Sequence, residues 1–101
     1  MTGDLTVIRT DGTIETIGLS KPPSLELMQE HVGGYIELIP HFKRYEGKPC
    51  VAFCDEDGRR KQLPPNAAAT KLWAAQCAWS VEWLVGNVAI ITGDRALMSK
   101  L

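Results

Sequence analysis

The stretch LPPNAAATKLWAAQCAWSVEWLVG, residues 63–86, carries the longest helical signal in the sequence and decides how the fold is interpreted. Its double proline leads to Asn66, a residue type that often caps a helix by accepting a backbone N–H. Gly86 closes the stretch, and glycine is favoured just after a helix because it adopts positive φ readily. The pattern therefore predicts one long helix from Ala67 to Val85. Its apolar face would contain Leu72, Trp79 and Trp83.

The N-terminal part of the chain predicts a β-hairpin. In LTVIRTDGTIETIGL, residues 5–19, two alternating β-branched runs flank Asp11-Gly12. Asp-Gly is favoured in type I′ turns, because both central positions of such a turn need positive φ. The sequence therefore predicts a type I′ hairpin with Ile14 and Ile17 buried on its second strand.

A short helix and several further strands follow. Ser24 is the predicted N-cap of a helix of about two turns, which Gly33-Gly34 ends. Because NVAIIT (87–92) is almost continuously apolar, we expect it to be a central strand. The other predicted segments are a strand YIELIPHF (35–42), a charged turn KRYEGK (43–48), a strand PCVAFC (49–54) and a short strand RRKQL (59–63).

These elements predict an α+β fold. We expect a small mixed or antiparallel sheet of four to six strands, with one long and one short helix packed on the same face. The 101 residues fit a single domain, 1–101, with a modest core. Residues 94–101 are expected to form a tail, either flexible or a frayed helical turn.

Composition argues against several classes of protein. With 11 Lys and Arg against 12 Asp and Glu, the formal net charge is −1, which disfavours general nucleic-acid binding. Apolar residues make up 45% of the chain, yet no apolar run approaches the roughly 20 residues of a membrane span. The N-terminus lacks the pattern of a signal peptide. The expected location is therefore the cytoplasm.

Several motifs together carry a family resemblance that spans roughly residues 25–93. The chain resembles small phage- and plasmid-borne proteins grouped only as a domain of unknown function, through GYIE at 34–37, LPPN at 63–66, Ala69-Thr70 and the strand after Gly86. Many members have a basic residue shortly after the asparagine, where this chain has alanines. The resemblance implies a phage or mobile-element setting in a bacterial host cell, and it implies no activity.

The entrance of the predicted long helix is the first candidate site. Unpaired N–H groups and the helix dipole favour phosphate or carboxylate at such a position. One hypothesis for this position is a site for a phosphate-bearing, nucleotide-like ligand. The alternative is that Asn66 only caps the helix and that the basic run only keeps a strand edge charged. The predicted ligand residues are Asn66, Thr70, Arg59, Arg60, Lys61 and Lys71.

Tyr35 and Glu37 form a second candidate site. They share one face of a predicted strand, because side chains alternate along a strand. Such a pair can line a pocket and bind a ribose or a base edge. The alternative is an amphipathic strand whose polar face lies in water.

The three tryptophans are candidates for a protein interface. Trp79 and Trp83 are four residues apart and would lie along one face of the predicted helix. Exposed tryptophans suit binding hot spots, whereas buried ones would only add to the core. Trp73 lies at a different angle and need not be buried with them. Any of the three that is exposed is predicted to contact a partner.

Neither metal binding nor catalysis is expected. Cys50 and Cys54 would lie roughly 13 Å apart on one strand face, too far to chelate one zinc ion. The segment CDEDG, residues 54–58, has the start of a calcium loop but lacks the later ligands. His31 and His41 join no triad, and the chain has no P-loop or dinucleotide fingerprint. We therefore expect no enzyme activity, no cofactor and no metal.

These observations predict a non-enzymatic phage or mobile-element accessory protein that acts by stoichiometric binding. The preferred hypothesis is a modulator or inhibitor of a host defence protein. Two alternatives stay open: sequestration of a phosphate-bearing signal molecule, and an oligomeric structural accessory protein. The expected partners are accordingly a host or phage protein, or a small phosphate-bearing ligand, and a homodimer is a further option.

Overall fold

The computed structural model describes residues 1–79 and 82–101. In this part of the chain, six strands and three helices form an α+β fold, as the sequence predicts. In chain order they are β1 (Gly3–Ile8), β2 (Ile14–Leu19), α1 (Leu25–Val32), β3 (Ile36–Leu38), β4 (Arg44–Tyr45), β5 (Lys48–Asp55), α2 (Ala67–Ala74), β6 (Val88–Gly93) and α3 (Arg95–Met98).

The strands form one antiparallel sheet in the order β2-β1-β6-β5-β3, and β4 pairs with the start of β5. The predicted central strand is β6, in which every residue from Val88 to Thr92 is buried. Its sequence is almost continuously apolar because both of its faces are covered. β1 and β6, which lie far apart in the sequence, therefore pair at the middle of the sheet, with Gly3 opposite Gly93.

The helices cover opposite faces of the sheet, which corrects the expectation of two helices on one face. Val7 and Ile8 are neighbours in β1, and both are fully buried because their side chains point to opposite sides. Ile8 belongs to the apolar cluster that contains Ala69 of α2. Val7 belongs to a second cluster with Met28 of α1 and Leu97 of α3. Each face of the sheet thus has its own apolar core and its own helical layer.

The predicted helix over 67–85 is wrong in length, because α2 ends at Ala74. The chain then turns back along the entrance of α2, where Pro65 and Val85 form an isolated antiparallel bridge. Because Val85 pairs with Pro65, which precedes α2, the chain around Val85 cannot be a continuation of α2. Residues 80 and 81 of the predicted helix lie outside the described residues.

Gly86 does not end a helix, although it has the positive φ expected of such a residue, 77°. It lies in the connection to β6, and its N–H donates to the Pro64 carbonyl at 2.8 Å. Leu84 is buried in the cluster beneath α2, while Trp83 next to it is exposed. Residues 82–86 are referred to below as the returning segment, and the apolar residues that suggested one long helical face belong partly to it.

β1 and β2 form the predicted hairpin, but its turn is not type I′. Gly12 has a φ of 88°, whereas Asp11 does not have a positive φ. The Gly12 N–H donates to the Arg9 carbonyl, so Thr10 and Asp11 are the central residues of the turn. Asp11 Oδ1 accepts the Thr13 N–H at 2.9 Å, which holds the wider loop together.

The expected burial of Ile14 is also wrong, because its side chain is 56% exposed. β2 is an edge strand, and among the described residues the cluster beneath α2 draws on β1, β5 and β6 but not on β2. Ile17 points to the other face and is half-buried against the cluster beneath α1 and α3. Of the two isoleucines predicted to be buried, Ile14 is therefore exposed and Ile17 is only half-buried.

α1 is the short helix that the sequence predicts. Ser24 Oγ accepts the Leu27 N–H at 3.1 Å, and Gly33 ends the helix with a φ of 95°. Met28 and Val32 are buried against the sheet, in agreement with the apolar spacing of the segment.

Three further segments complete the fold. The predicted strand at 59–63 is wrong, since these residues form a turn in which the Leu63 N–H donates to the Gly58 carbonyl. The predicted turn at 43–48 contains the short strand β4. After β6, the Asp94 side chain caps α3, and Leu97 is fully buried. No helix in the described ranges is long and apolar enough to cross a membrane.

Candidate functional site

Asn66 is a buried junction between α2, β1 and the segment before β6. Its side chain is fully buried. Nδ2 donates to the carbonyls of Ile8 at 2.9 Å and Gly86 at 3.0 Å, and Oδ1 accepts the Ala69 N–H at 3.1 Å. Both amide N–H groups and the amide oxygen are therefore used inside the protein. Asn66 caps α2 as predicted and, in addition, fastens the helix to two other parts of the fold.

Thr70 closes the helix entrance from the other side. Its Oγ1 donates to the Asn66 carbonyl at 2.7 Å and accepts the Leu84 N–H at 2.9 Å. The entrance of α2 is thus covered by the returning segment, and both side chains have protein partners. Ligand binding by Asn66 and Thr70 stays a prediction, and the contacts in the structure give both residues a structural role.

The basic residues predicted beside the helix entrance do not converge on it. Lys71 lies on the exposed surface of α2. The other three each pair with a different carboxylate: Arg59 with Glu82 at 3.0 Å, Arg60 with Asp57 at 2.9 Å, and Lys61 with Asp55 at 2.7 Å. The structure therefore does not gather the six predicted residues around one cavity.

The pair of Asp55 and Lys61 is the most buried of these ion pairs, and the Asp55 side chain is only 1% exposed. Burial raises the pKa of Asp55, but hydrogen bonds from the Lys61 ammonium and the Asp57 backbone N–H outweigh that effect. The pKa of Asp55 therefore lies below its usual value, and its carboxylate is charged at neutral pH. Its interactions hold the turn that follows β5.

Tyr35 and Glu37 line different cavities. β3 begins only at Ile36, so strand alternation does not extend to Tyr35. Tyr35 is 69% exposed and borders a shallow cavity near Gln29 of α1. Glu37 is paired in register with Cys54 and lines a different cavity. The structure does not bring the two residues into the joint pocket that the sequence predicts.

A groove of about 200 Å³ lies between β3 and the returning segment, and it is referred to below as the β3 groove. One wall consists of residues 37–40 and the other of residues 82–85. The remaining lining residues are Cys54, Asp55, Glu56, Arg59 and Trp73. Trp73 and the last four residues of the predicted long helix thus meet the edge of the sheet.

Hydrogen bonds hold both walls of the β3 groove. Trp73 Nε1 donates to the Pro40 carbonyl at 2.7 Å, and Arg59 donates to the Trp83 carbonyl at 2.8 Å. Trp83 on one wall is 56% exposed. Leu38 on the other wall is 55% exposed, but it is paired in register with Phe53, so its side chain points to the face of the sheet that α1 and α3 cover. A preformed concave surface with an exposed tryptophan on one wall can bind a partner at little cost in ordering.

The tryptophans predicted as interface residues have different environments. Trp79 is 57% exposed, and its ring meets that of His41 edge to face at a centroid distance of 4.9 Å. Trp73 is half-buried, and Trp83 lines the β3 groove. Trp79 and Trp83 do not share a helix face, because α2 ends at Ala74. Their exposure is compatible with contact to a partner, which stays a prediction.

Cys50 and Cys54 both have raised pKa values. Burial raises the pKa of Cys50 to about 11, and burial together with the charges of Glu37 and Asp55 raises the pKa of Cys54 to about 11. Both thiols therefore stay protonated at neutral pH. In the ranges that the structure describes, no three His, Cys, Asp or Glu side chains are placed to hold a metal ion.

Sequence reasoning missed Leu38, Glu56 and Glu82 as groove residues. Leu38 was predicted only as part of a strand, and it is exposed because that strand lies at the sheet edge. Glu82 was placed within the long helix. One signal in the sequence could have revealed this: Glu82 lies inside an otherwise apolar, tryptophan-rich run, and a glutamate is unusual in a buried helix.

Sheet, helical layers and groove together define a small α+β domain with one antiparallel sheet covered on both faces. The chain belongs to the family described as "Domain of unknown function (DUF3846)", whose family model matches residues 1–98. No curated protein and no solved structure matches the chain. The resemblance noted in the sequence is thereby confirmed at the level of a domain of unknown function.

Proposed function

We propose that this chain acts without catalysis, by stoichiometric binding to another protein, and that the β3 groove is its docking surface. The observation that carries this proposal is the exposure of Trp83 on one wall of a preformed groove. Tryptophan is among the residues that most often dominate the binding energy of protein interfaces.

The size of the groove favours a protein segment over a small molecule. Pockets that enclose drug-sized ligands usually have volumes of about 300–1,000 Å³, whereas the β3 groove has about 200 Å³. One long side chain of a partner fits that space, and the rest of the partner would lie over the exposed walls. Trp79, which is 57% exposed, would extend the contact area beyond the groove.

The family resemblance suggests the setting in which such binding would be useful. We propose that the chain is a phage or mobile-element accessory protein and that its partner is a host protein, with a defence protein as the preferred candidate. Sequestration of a nucleotide-like signal at the α2 entrance finds less support, since Asn66 and Thr70 are engaged in internal hydrogen bonds.

Native mass spectrometry of the protein purified from bacterial cells that express it tests this function. We expect a second protein to be retained at a fixed stoichiometry. Trp83→Ala should weaken the complex about 30-fold or more, the size of a typical hot-spot loss. Because Trp83 is largely exposed, the variant should keep the thermal stability of the parent protein.

Lys71→Ala is a matched control, because Lys71 is exposed on α2 and does not line the β3 groove. It should leave the complex intact. A retained mass of a few hundred daltons, a homo-oligomer without a second protein, or a complex that survives Trp83→Ala would each contradict docking through this groove.

A further inference from the structure

The charges around the β3 groove indicate which partner it fits. Carboxylates outnumber cations in its lining, with Glu37, Asp55, Glu56 and Glu82 against Arg59 alone. Asp55 is neutralised by Lys61, and Glu82 by Arg59. In the described part of the chain, Glu37 and Glu56 have no ion-pair partner. The groove therefore presents two uncompensated carboxylates beside apolar walls.

We infer that the β3 groove selects a partner segment in which a lysine or arginine lies next to an apolar residue. This inference rests on the proposed docking function and adds the chemistry of the partner to it. The cation would lie near Glu37 and Glu56, and the apolar neighbour would cover Trp83. Charge complementarity of this kind decides which partners bind more than how tightly they bind.

The indole rings add to the preference for a cation. Trp73 and Trp83 both line the groove, and a cationic side chain is attracted to the face of an indole. The Trp73 ring is already fixed by its hydrogen bond to Pro40, so its ordering costs little when a partner binds. An acidic partner would instead bring its carboxylates toward Glu37 and Glu56, which disfavours it.

Four terminally blocked tripeptides, Leu-Arg-Leu, Leu-Lys-Leu, Leu-Gln-Leu and Leu-Glu-Leu, serve as probes. They are titrated into the ¹⁵N-labelled protein while the indole N–H signals of Trp73, Trp79 and Trp83 are followed by NMR. We expect the Arg and Lys probes to shift the signals of Trp73 and Trp83 at millimolar concentration. The Gln probe should bind roughly three- to tenfold more weakly and the Glu probe more weakly still, and added salt should reduce the difference.

Glu37→Gln and Glu56→Gln separate charge from shape. Each single variant should lower the affinity for the Arg probe part of the way to that for the Gln probe, and the double variant should remove the difference. The affinity for the Gln probe should stay unchanged in all three variants. Glu30→Gln, an exposed change on α1 outside the groove, is the control and should alter nothing.

Equal binding of the Arg and Gln probes, unchanged affinity in the two variants, or no shift of the Trp73 and Trp83 signals would overturn the inference. If all four probes bind equally and Trp83→Ala abolishes their binding, the docking groove stands and only its charge preference fails. If the cellular complex also survives Trp83→Ala, the proposed function fails with it.

Discussion

The side-chain amide of Asn66 donates a hydrogen bond to the carbonyl of Ile8, 58 residues earlier in the sequence, at 2.9 Å. The same amide reaches the Gly86 carbonyl, 20 residues later. A residue that caps a helix therefore also joins that helix to the end of β1 and to the start of the β6 connection. Loss of Asn66 should affect three parts of the fold together.

Asn66→Ala should destabilise the protein by about 2–4 kcal/mol. The lost helix cap accounts for about 1 kcal/mol, and two buried carbonyls left without donors account for about 1–3 kcal/mol more. Urea denaturation followed by circular dichroism measures the change.

Ser24→Ala is the matched control, because Ser24 caps α1 at an exposed position with a single hydrogen bond. It should cost only about 1 kcal/mol. Equal losses for the two variants would mean that the bonds of Asn66 to Ile8 and Gly86 contribute nothing.

Gly3 and Gly18 should respond in opposite ways to alanine. A Cβ at Gly3 would clash with the Thr92 carbonyl oxygen and approach Gly93 Cα to 2.9 Å, so the β1–β6 pairing must shift. We expect Gly3→Ala to cost roughly 1–3 kcal/mol. A Cβ at Gly18 on the edge strand meets no atom within 4 Å among the described residues. Gly18→Ala should be neutral or stabilise by up to about 0.5 kcal/mol.

Thermal unfolding of both glycine variants provides the comparison. If Gly3→Ala melts at the same temperature as the parent protein, the close approach of β1 and β6 at that end of the sheet is incorrect.

Asp55 should make the protein sensitive to acid. Its pKa is lower in the folded protein than in the unfolded chain, so its charged form stabilises the fold. That contribution is complete above the unfolded pKa of about 3.9 and is lost as the pH falls through the lower folded value. Denaturation curves between neutral pH and strong acid should show the loss.

Asp55→Asn isolates this contribution from those of the other carboxylates. The stability difference between the parent protein and the variant should be constant near neutral pH and shrink in the acid range. A difference that stays constant down to strong acid would show that the pKa of Asp55 is not lowered by folding.

Cys50 and Cys54 should react slowly with iodoacetamide at neutral pH. With pKa values of about 11, only about one thiol in ten thousand is ionised at pH 7. The reaction of Cys54, which lines the groove, should accelerate steadily as the pH rises. Peptide mass spectrometry after timed labelling measures both rates, and urea-unfolded protein, in which all three cysteines react, is the reference. Fast labelling of Cys54 in the folded protein at neutral pH would contradict this.

The elements that the sequence predicted correctly are those whose signal lies within a few neighbouring residues. Ser24 with Gly33, the alternating runs of β1 and β2, and the apolar run of β6 each contain the physical reason for their structure. The long helix failed because its apolar spacing continued past Ala74 while the chain turned back. The bonds that decide this, Asn66 to Leu84 and Thr70 to Leu84, are tertiary and leave no periodic trace in the sequence.

The candidate site was predicted only in part. The sequence named Trp83 as one of three candidate interface residues, but it did not predict which of the three are exposed. The opposite wall of the groove was not predicted, because the exposure of Leu38 depends on β3 being the outermost strand. Which face of the sheet each helix covers depends on the path of the connections between the strands. The alternation of side chains within one strand does not determine that path.

The central position of β6 has a consequence for how the protein is made. β6 follows every other strand in the sequence, yet β1 and β5 both pair with it. While a ribosome synthesises the chain, these two strands emerge before the strand that joins them, and their apolar residues have no complete sheet to enter. A fold that depends on such distant contacts forms slowly, and the nascent chain is exposed to aggregation until β6 emerges. Translation rate and chaperones should therefore influence the yield of this protein more than that of a helical bundle of equal length.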